Sequence, residues 1–202
     1  MDQLKMFGHG GMSKGFPESV LKYYPDVFTT EESIELLNNL ITTIEWEQRV
    51  VSMYGKKIAT PRLTAWHGEN GKNYSYSGSR FTPIPWTKEL LYIKDRIEPR
   101  SEAAFNSVLL NYYRDGNDSV AWHSDNETEL GTQPVIASVS FGQVRRFDIR
   151  RKNDHQQKHS ILLENGSLLL MKGGLQQNWE HRIAKSPVSM NARINLTFRI
   201  IL

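Results

Sequence analysis

The chain has 202 residues, enough for one domain, and 39% of them are apolar, enough for a sizeable core. It contains no cysteine, which excludes disulfides, iron–sulfur clusters and thiolate zinc sites, so any metal must be held by His, Asp or Glu. The net charge of +3 is concentrated: the strip RRFDIRRKNDHQQK, 145–158, carries six Lys or Arg against two Asp. Such a strip on a near-neutral body is either a footprint for phosphates or a solvated hairpin edge whose charges oppose aggregation.

The opening MDQLKMFGHGGMSKG has no apolar run of signal-peptide length, and nothing later approaches the ~18 apolar residues of a membrane span. The expectation is a soluble monomer without a membrane partner, cytoplasmic, or nuclear in a eukaryote. Four glycines in the first fifteen residues mark 1–15 as a flexible tail, with a single domain over 16–202. Thr29-Thr30-Glu31-Glu32 is a capping box, and Ile34, Leu37, Ile41 and Ile44 follow at helical spacing. A second helix is predicted from Pro85, with Trp86, Leu90, Ile93 and Ile97 along one stripe and Pro99 as its stop.

From residue 105 the pattern changes to short alternating or β-branched segments: FNSVLLNYYR, PVIASVSFG, VRRFDIRR, HSILL, SLLLMK and ARINLTFRII. Asp115-Gly116, Glu164-Asn165-Gly166 and Gly173-Gly174 divide them. Two helices and then a run of strands predict an α+β fold. Its core is a jelly roll, or double-stranded β-helix, over 105–202, with the N-terminal helices packed on one sheet.

Four features in this half point to chemistry. Asn111 and Tyr113 share one face of a strand because side chains alternate, although a half-exposed strand with a surface tyrosine has the same pattern. His123 and Asp125, in VAWHSDNE, stand two residues apart in an extended segment, so both side chains enter the same space. His-x-Asp alone is common by chance. With His181 in NWEHRIA, however, it completes the two-histidine, one-carboxylate donor set of non-haem Fe(II) oxygenases. His9, His67, His155 and His159 read as ordinary core or surface residues. Finally, RINLTFR puts Arg193, Asn195, Thr197 and Arg199 on one face and Ile194, Leu196 and Phe198 on the other. The two arginines lie about 20 Å apart if the strand is fully extended, with no acidic residue close by in sequence, and suit a ligand with two carboxylates. A solvated face is the plainer reading of that pattern.

The ordered set NYYRDGNDSVAWHSDNE, PVIASVSFG, RFDIR, NWEHRI and RINLTFR resembles the AlkB family of Fe(II)/2-oxoglutarate-dependent dioxygenases. The resemblance covers about residues 55–202. It implies that His123, Asp125 and His181 hold Fe(II), and that Asn111, Tyr113, Arg193, Asn195 and Arg199 bind 2-oxoglutarate, with O2 as second cosubstrate. Arg193 would take the far carboxylate and Arg199 the end nearer the iron. Upstream, YSYSG and Pro61-Arg62 resemble the nucleotide-recognition region of the nucleic-acid repair branch, which assigns 16–104 to recognition and helical support. Tyr74 and Tyr76 would wall a base pocket, and Glu127 would face a cationic alkylated base. Lys56, Lys57, Arg62 and the basic strip would contact phosphates. Met53-Tyr54-Gly55 stands where some relatives carry a base-replacing wedge; a plain hairpin turn is the other reading.

The implied activity is oxidative dealkylation of N-alkylated bases in DNA, such as 1-methyladenine and 3-methylcytosine, as direct repair. RNA or a protein side chain as substrate, or a non-catalytic β-sandwich that binds nucleic acid or 2-oxoglutarate, are the alternatives. Tyr76 where relatives often show Phe, and Glu180 before the distal histidine, depart from the family pattern and bear on base preference.

Overall fold

The structure is a computed structural model and describes residues 17–53, 56–71, 74–76 and 79–202. The elements that precede the jelly roll are β1 (Leu21–Tyr24), α1 (Thr30–Thr43), β2 (Val50–Met53), β3 (Lys56–Ala59), β4 (Leu63–Gly68), β5 (Tyr74–Tyr76), β6 (Ser79–Phe81) and α2 (Lys88–Ser101). The β-rich half follows with β7 (Ser107–Tyr113), β8 (Val120–His123), β9 (Ile136–Gly142), β10 (Arg145–Arg151), β11 (Lys158–Leu163) and β12 (Ser167–Met171). A short α3 (Leu175–Asn178), β13 (Trp179–Ile183) and β14 (Arg193–Arg199) complete it.

Two antiparallel sheets face each other. The larger runs β1-β12-β9-β14-β7-β4 and the smaller β11-β10-β13-β8. Successive strands from β7 to β14 switch between the sheets, except at the β10–β11 hairpin, which is the winding of a jelly roll. Eight strands therefore form the double-stranded β-helix expected from residue 105 onward. β1 and β4 extend the larger sheet at its two edges. The β2–β3 and β5–β6 pairs are separate hairpins.

The period of two along β14 explains why both of its faces are buried. Ile194, Leu196 and Phe198 join Val108, Leu110, Val139 and the helix residues Leu40, Leu90, Ile93 and Ile97 in one apolar cluster. The opposite face looks between the sheets. The helices thus cover the outer face of the larger sheet, as predicted, and leave its inner face for the site.

Helix details differ from the sequence expectation. The capping box is formed as read, Thr29 and Glu32 each bonding the other's backbone N–H (3.2 and 2.8 Å). The buried stripe, however, is Ser33, Leu36 and Leu40, with Ile44 as C-cap, whereas Ile34 is 52% exposed. Ser33 is small enough to lie against Gly166, where φ is +78° and a Cβ would meet the Phe28 carbonyl at 2.6 Å. The second helix begins after Thr87, not at Pro85, and Pro99 does not stop it. Pro99 costs one hydrogen bond in the last turn. The helix continues to Ser101 because Glu102 adopts the left-handed cap (φ 55°) and its N–H reaches the Glu98 carbonyl.

Candidate active site

A cleft of about 560 Å³, counting its open mouth, lies between the two sheets. Its smaller-sheet wall carries the predicted donors. His181, in the middle of β13, is paired directly with His123 at the end of β8, and the two rings are 4.3 Å apart between centroids. Asp125 follows in the loop, its Oδ1 3.6 Å from His123 Nε2. One donor atom from each of the three residues lies within 4.8 Å of the others.

The protonation states suit a cation. Burial pushes the His181 imidazole down to about 3, reinforced by His123, so it is neutral with a lone pair available at physiological pH. Burial raises the Asp125 carboxyl, but Arg199, His181 and His123 outweigh it and hold the pKa at about 2. The Ala121 carbonyl, 2.9 Å from His123 Nδ1, can only accept, so Nδ1 carries the proton and Nε2 is the free donor to a metal. Two imidazole nitrogens and an ionised carboxylate fit Fe(II) chemically.

The larger sheet builds the other end. Asn195 is in register with Asn111 on one side and Ser140 on the other, and Arg193 with Tyr113. Asn195 Nδ2 donates to Ser138 Oγ (2.7 Å) and to the Val139 carbonyl (3.0 Å), so its amide is fixed. Arg193, only 1% exposed, donates from Nη2 to Ser140 Oγ (2.9 Å) and packs against the Tyr113 ring (5.0 Å). Its Nε and Nη1 are buried with no hydrogen-bond acceptor among the described residues. Burial lowers its pKa to about 10, which still leaves it charged at neutral pH. A buried guanidinium with two idle donors is costly without an anion. It fits the far carboxylate of 2-oxoglutarate.

The structure brings together every residue predicted for the metal and the cosubstrate, and it corrects some particulars. Arg199 has an acidic partner after all: its Nη2 is 2.9 Å from Asp125 Oδ2. This pair spans the two sheets and places Arg199 at the metal end and Arg193 at the far end. Arg62 is no surface phosphate contact. It is 8% exposed, lines the cleft and donates from Nε to Asn111 Oδ1 (2.7 Å) and from Nη1 to the Ser119 carbonyl (3.2 Å). The bond from Ser119 N to the Pro61 carbonyl (2.8 Å) folds that loop inward and turns Arg62 with it.

Glu127 is half-buried at the start of a 3-10 turn and does not line the cleft. Tyr54 and the side chains of Tyr74 and Tyr76 lie outside the described residues. The basic strip is divided by its own alternation. Arg145 is 2% exposed and donates to the carbonyls of Asp115, Asp118 and Ala184. Arg146 pairs with Asp148, and Arg150 with Glu180. Much of the strip's charge is therefore satisfied internally.

Two contributors to the site escaped sequence reasoning. Gln176, on α3, accepts the Asp125 backbone N–H through Oε1 (2.9 Å) and fixes the loop that carries the carboxylate. Ser138 completes the polar floor around Asn195, beside Thr197, which its place on the same face of β14 had predicted. A glutamine in a glycine-bounded segment carries no local signal for such a role.

Residues 20–199 match the 2OG-Fe(II) oxygenase superfamily, whose two defining groups are those that the donor set and the guanidinium fit. Alpha-ketoglutarate-dependent dioxygenase alkB homolog 3 of Mus musculus is 41% identical over 187 residues, 88% of this chain and 65% of that protein. DNA oxidative demethylase ALKBH2 of Homo sapiens is 34% identical over 211 residues, 96% of this chain and 81% of that protein. The solved structure of OsALKBH1 shares the fold, with a TM-score of 0.63 at 17% identity over 89% of this chain and 97% of that one. The chain spans 65% of the length of mouse alkB homolog 3. By its sequence match, its jelly roll and its two-ended cleft, the chain belongs to the AlkB family of 2OG-Fe(II) oxygenases.

Proposed function

We propose that the protein oxidatively removes alkyl groups from N-alkylated bases in DNA, such as 1-methyladenine and 3-methylcytosine. One observation carries the reading: a single cleft joins the His123–Asp125–His181 donor set to a buried arginine, Arg193, whose Nε and Nη1 have no acceptor among the described residues. The substrate class rests on similarity to alkB homolog 3 and to DNA oxidative demethylase ALKBH2. Fe(II), with 2-oxoglutarate and O2, supplies oxidation of the N-alkyl carbon, after which the base and an aldehyde separate.

The chain's own residues prepare that chemistry. His123 Nε2, a ring nitrogen of His181 and an Asp125 oxygen present lone pairs to the metal. Arg199 keeps Asp125 ionised and aimed. Arg193 docks the distal carboxylate with Tyr113, while Asn111 and Asn195, each held by its own hydrogen bonds, shape the floor. Leu109, Phe147, Leu163 and Ile183 line the walls, and such apolar surroundings strengthen each of these contacts. A base stacked in a duplex cannot reach a donor set at this depth, so the target is extruded or already single-stranded, and damaged bases cost least to extrude.

The test is mass spectrometry of oligonucleotides carrying 1-methyladenine or 3-methylcytosine, incubated with Fe(II) and with or without 2-oxoglutarate. Loss of the alkyl mass only when 2-oxoglutarate is present is the expected result. Matched RNA and methylated peptides are run beside the DNA. Faster turnover of either moves the substrate assignment there, and no dealkylation of any substrate removes the proposal.

A further inference from the structure

The strand that carries His123 and leads into Asp125, two of the three candidate metal ligands, has the weakest backbone support in the smaller sheet. β8 is four residues long and lies at the sheet edge, with β13 as its only neighbour among the described residues. Its ladder is irregular. His123 pairs with His181 and Val120 with Ile183, so three steps on β8 oppose two on β13. That mismatch is a β-bulge at Ala121–Trp122, and it re-aims side chains. Through it Val120 and His123, three residues apart, both line the cleft, while Trp122 between them points to the outer face.

On that outer face two guanidiniums lie over the Trp122 ring. Arg150, from β10, is 4.2 Å from the indole ring and Arg182, from β13, is 4.5 Å from it. Both arginines are anchored on their far sides, Arg150 to Glu180 and Arg182 to Asp148 (3.0 Å). Asp148 is itself bonded to Ser160 Oγ from β11 (2.7 Å). The stack therefore ties β8 to the other three strands of the sheet, where its own ladder cannot. On the inner side the same segment is tethered by Ser124 to the Trp179 carbonyl and by Asp125 N–H to Gln176.

We infer that Trp122 is a positioning residue: its stacking with Arg150 and Arg182 fixes the β8 bulge and so sets the aim of His123 at the metal site. The inference rests on His123, Asp125 and His181 being the metal ligands. Partners one layer behind a ligand typically change metal affinity by about 10–100-fold when they are lost.

Mn(II), which binds the same donor set without turnover, is the probe, titrated calorimetrically into wild-type protein, Trp122→Phe and Trp122→Leu, with the thermal transition of each metal-free protein recorded alongside. The expected result is Mn(II) binding weakened about tenfold or more in Trp122→Leu, with a cooperative metal-free transition retained. Trp122→Phe, which keeps an aromatic face for the guanidiniums, should lose only a few-fold. Wild-type affinity in a folded Trp122→Leu variant, or equal losses in both variants, overturns the inference. If Trp122→Leu does not fold, the double change Arg150→Lys and Arg182→Lys keeps the charges facing Glu180 and Asp148 while removing the planar stack. Unaltered Mn(II) affinity in that protein also overturns it. Wild-type protein that binds no Mn(II) instead sinks the metal-site reading itself.

Discussion

Arg193 is the residue whose environment makes least sense without a ligand. It is fully buried, remains charged, and has two donors unused among the described residues. Arg193→Gln should raise the 2-oxoglutarate concentration needed for half-maximal succinate release by about 30-fold or more, the equivalent of ~2 kcal/mol for a lost charge-assisted contact. Mn(II) affinity without cosubstrate should be unchanged, because the residue is at the far end of the cleft. A parallel loss of metal binding would contradict that division of the site. His67 is a second residue-scale case. Its Nδ1 bonds the Pro85 carbonyl (2.9 Å), its Nε2 is buried without a partner among the described residues, and burial lowers its pKa. The folded state therefore binds fewer protons than the unfolded chain below about pH 6.5, the unfolded value. Its contribution to stability is complete above that pH and is lost as the pH falls. His67→Phe should flatten the drop in melting temperature between pH 7 and pH 5.5 relative to wild type, and parallel curves would rule His67 out as the cause. The candidate ligands themselves were legible in sequence because spacing and order along the chain carried them. The pairs Arg199–Asp125 and Arg62–Asn111 were not, since each joins positions far apart in sequence that only the closed sandwich brings together.

At the scale of elements, the β10–β11 hairpin shows how a charge run misleads when its face is unknown. The strip 145–158 reads as uniformly basic, yet alternation along β10 sends Arg145 inward and Arg146 outward. Arg145→Ala removes a buried guanidinium and leaves three carbonyls, that of Asp118 buried, without this donor; it should cost about 2–4 kcal/mol, read as a lower urea midpoint. Arg146→Ala, at a side chain 62% exposed, should change the midpoint by no more than about 0.5 kcal/mol. Equal effects would mean that the alternation does not govern this strand. The long strands β7, β9, β12 and β14 were legible because each is a continuous apolar or alternating run. β8 was legible only as an extended segment because a bulge breaks its period, and β1 was not legible because four residues carry too little pattern. In α1 the capping box gave the start correctly, but the buried stripe was displaced by one position. The helix packs Ser33 against a tight turn, and serine contributes nothing to a hydrophobic count.

For the whole molecule, the division of labour between the sheets has a thermodynamic consequence. All three candidate metal ligands belong to the smaller sheet or its loop, whereas Asn111, Tyr113, Arg193, Asn195 and Arg199 all belong to the larger one. At the cleft, the pair Arg199–Asp125 already links the two across the gap. A metal on its own adds a bond between β8 and β13. A dicarboxylate that reaches both that metal and Arg193 adds a second bridge between the sheets, so the two ligands should stabilise the fold more together than the sum of their separate effects. Any ligand that binds only the native state at about 100 times its Kd adds ~2.7 kcal/mol. For a domain of this size each kcal/mol moves the melting temperature by about 2–4 °C, so Mn(II) at that excess should raise it by roughly 5–10 °C. 2-Oxoglutarate alone should add little, and both together should exceed the sum. In His181→Ala the Mn(II) increment should vanish and the cosubstrate's extra increment with it, while Arg193→Gln should retain the first and lose the second. Strictly additive increments in the wild-type protein would show that the two ends of the cleft bind independently, and would leave the sheets joined only by their core and by Arg199.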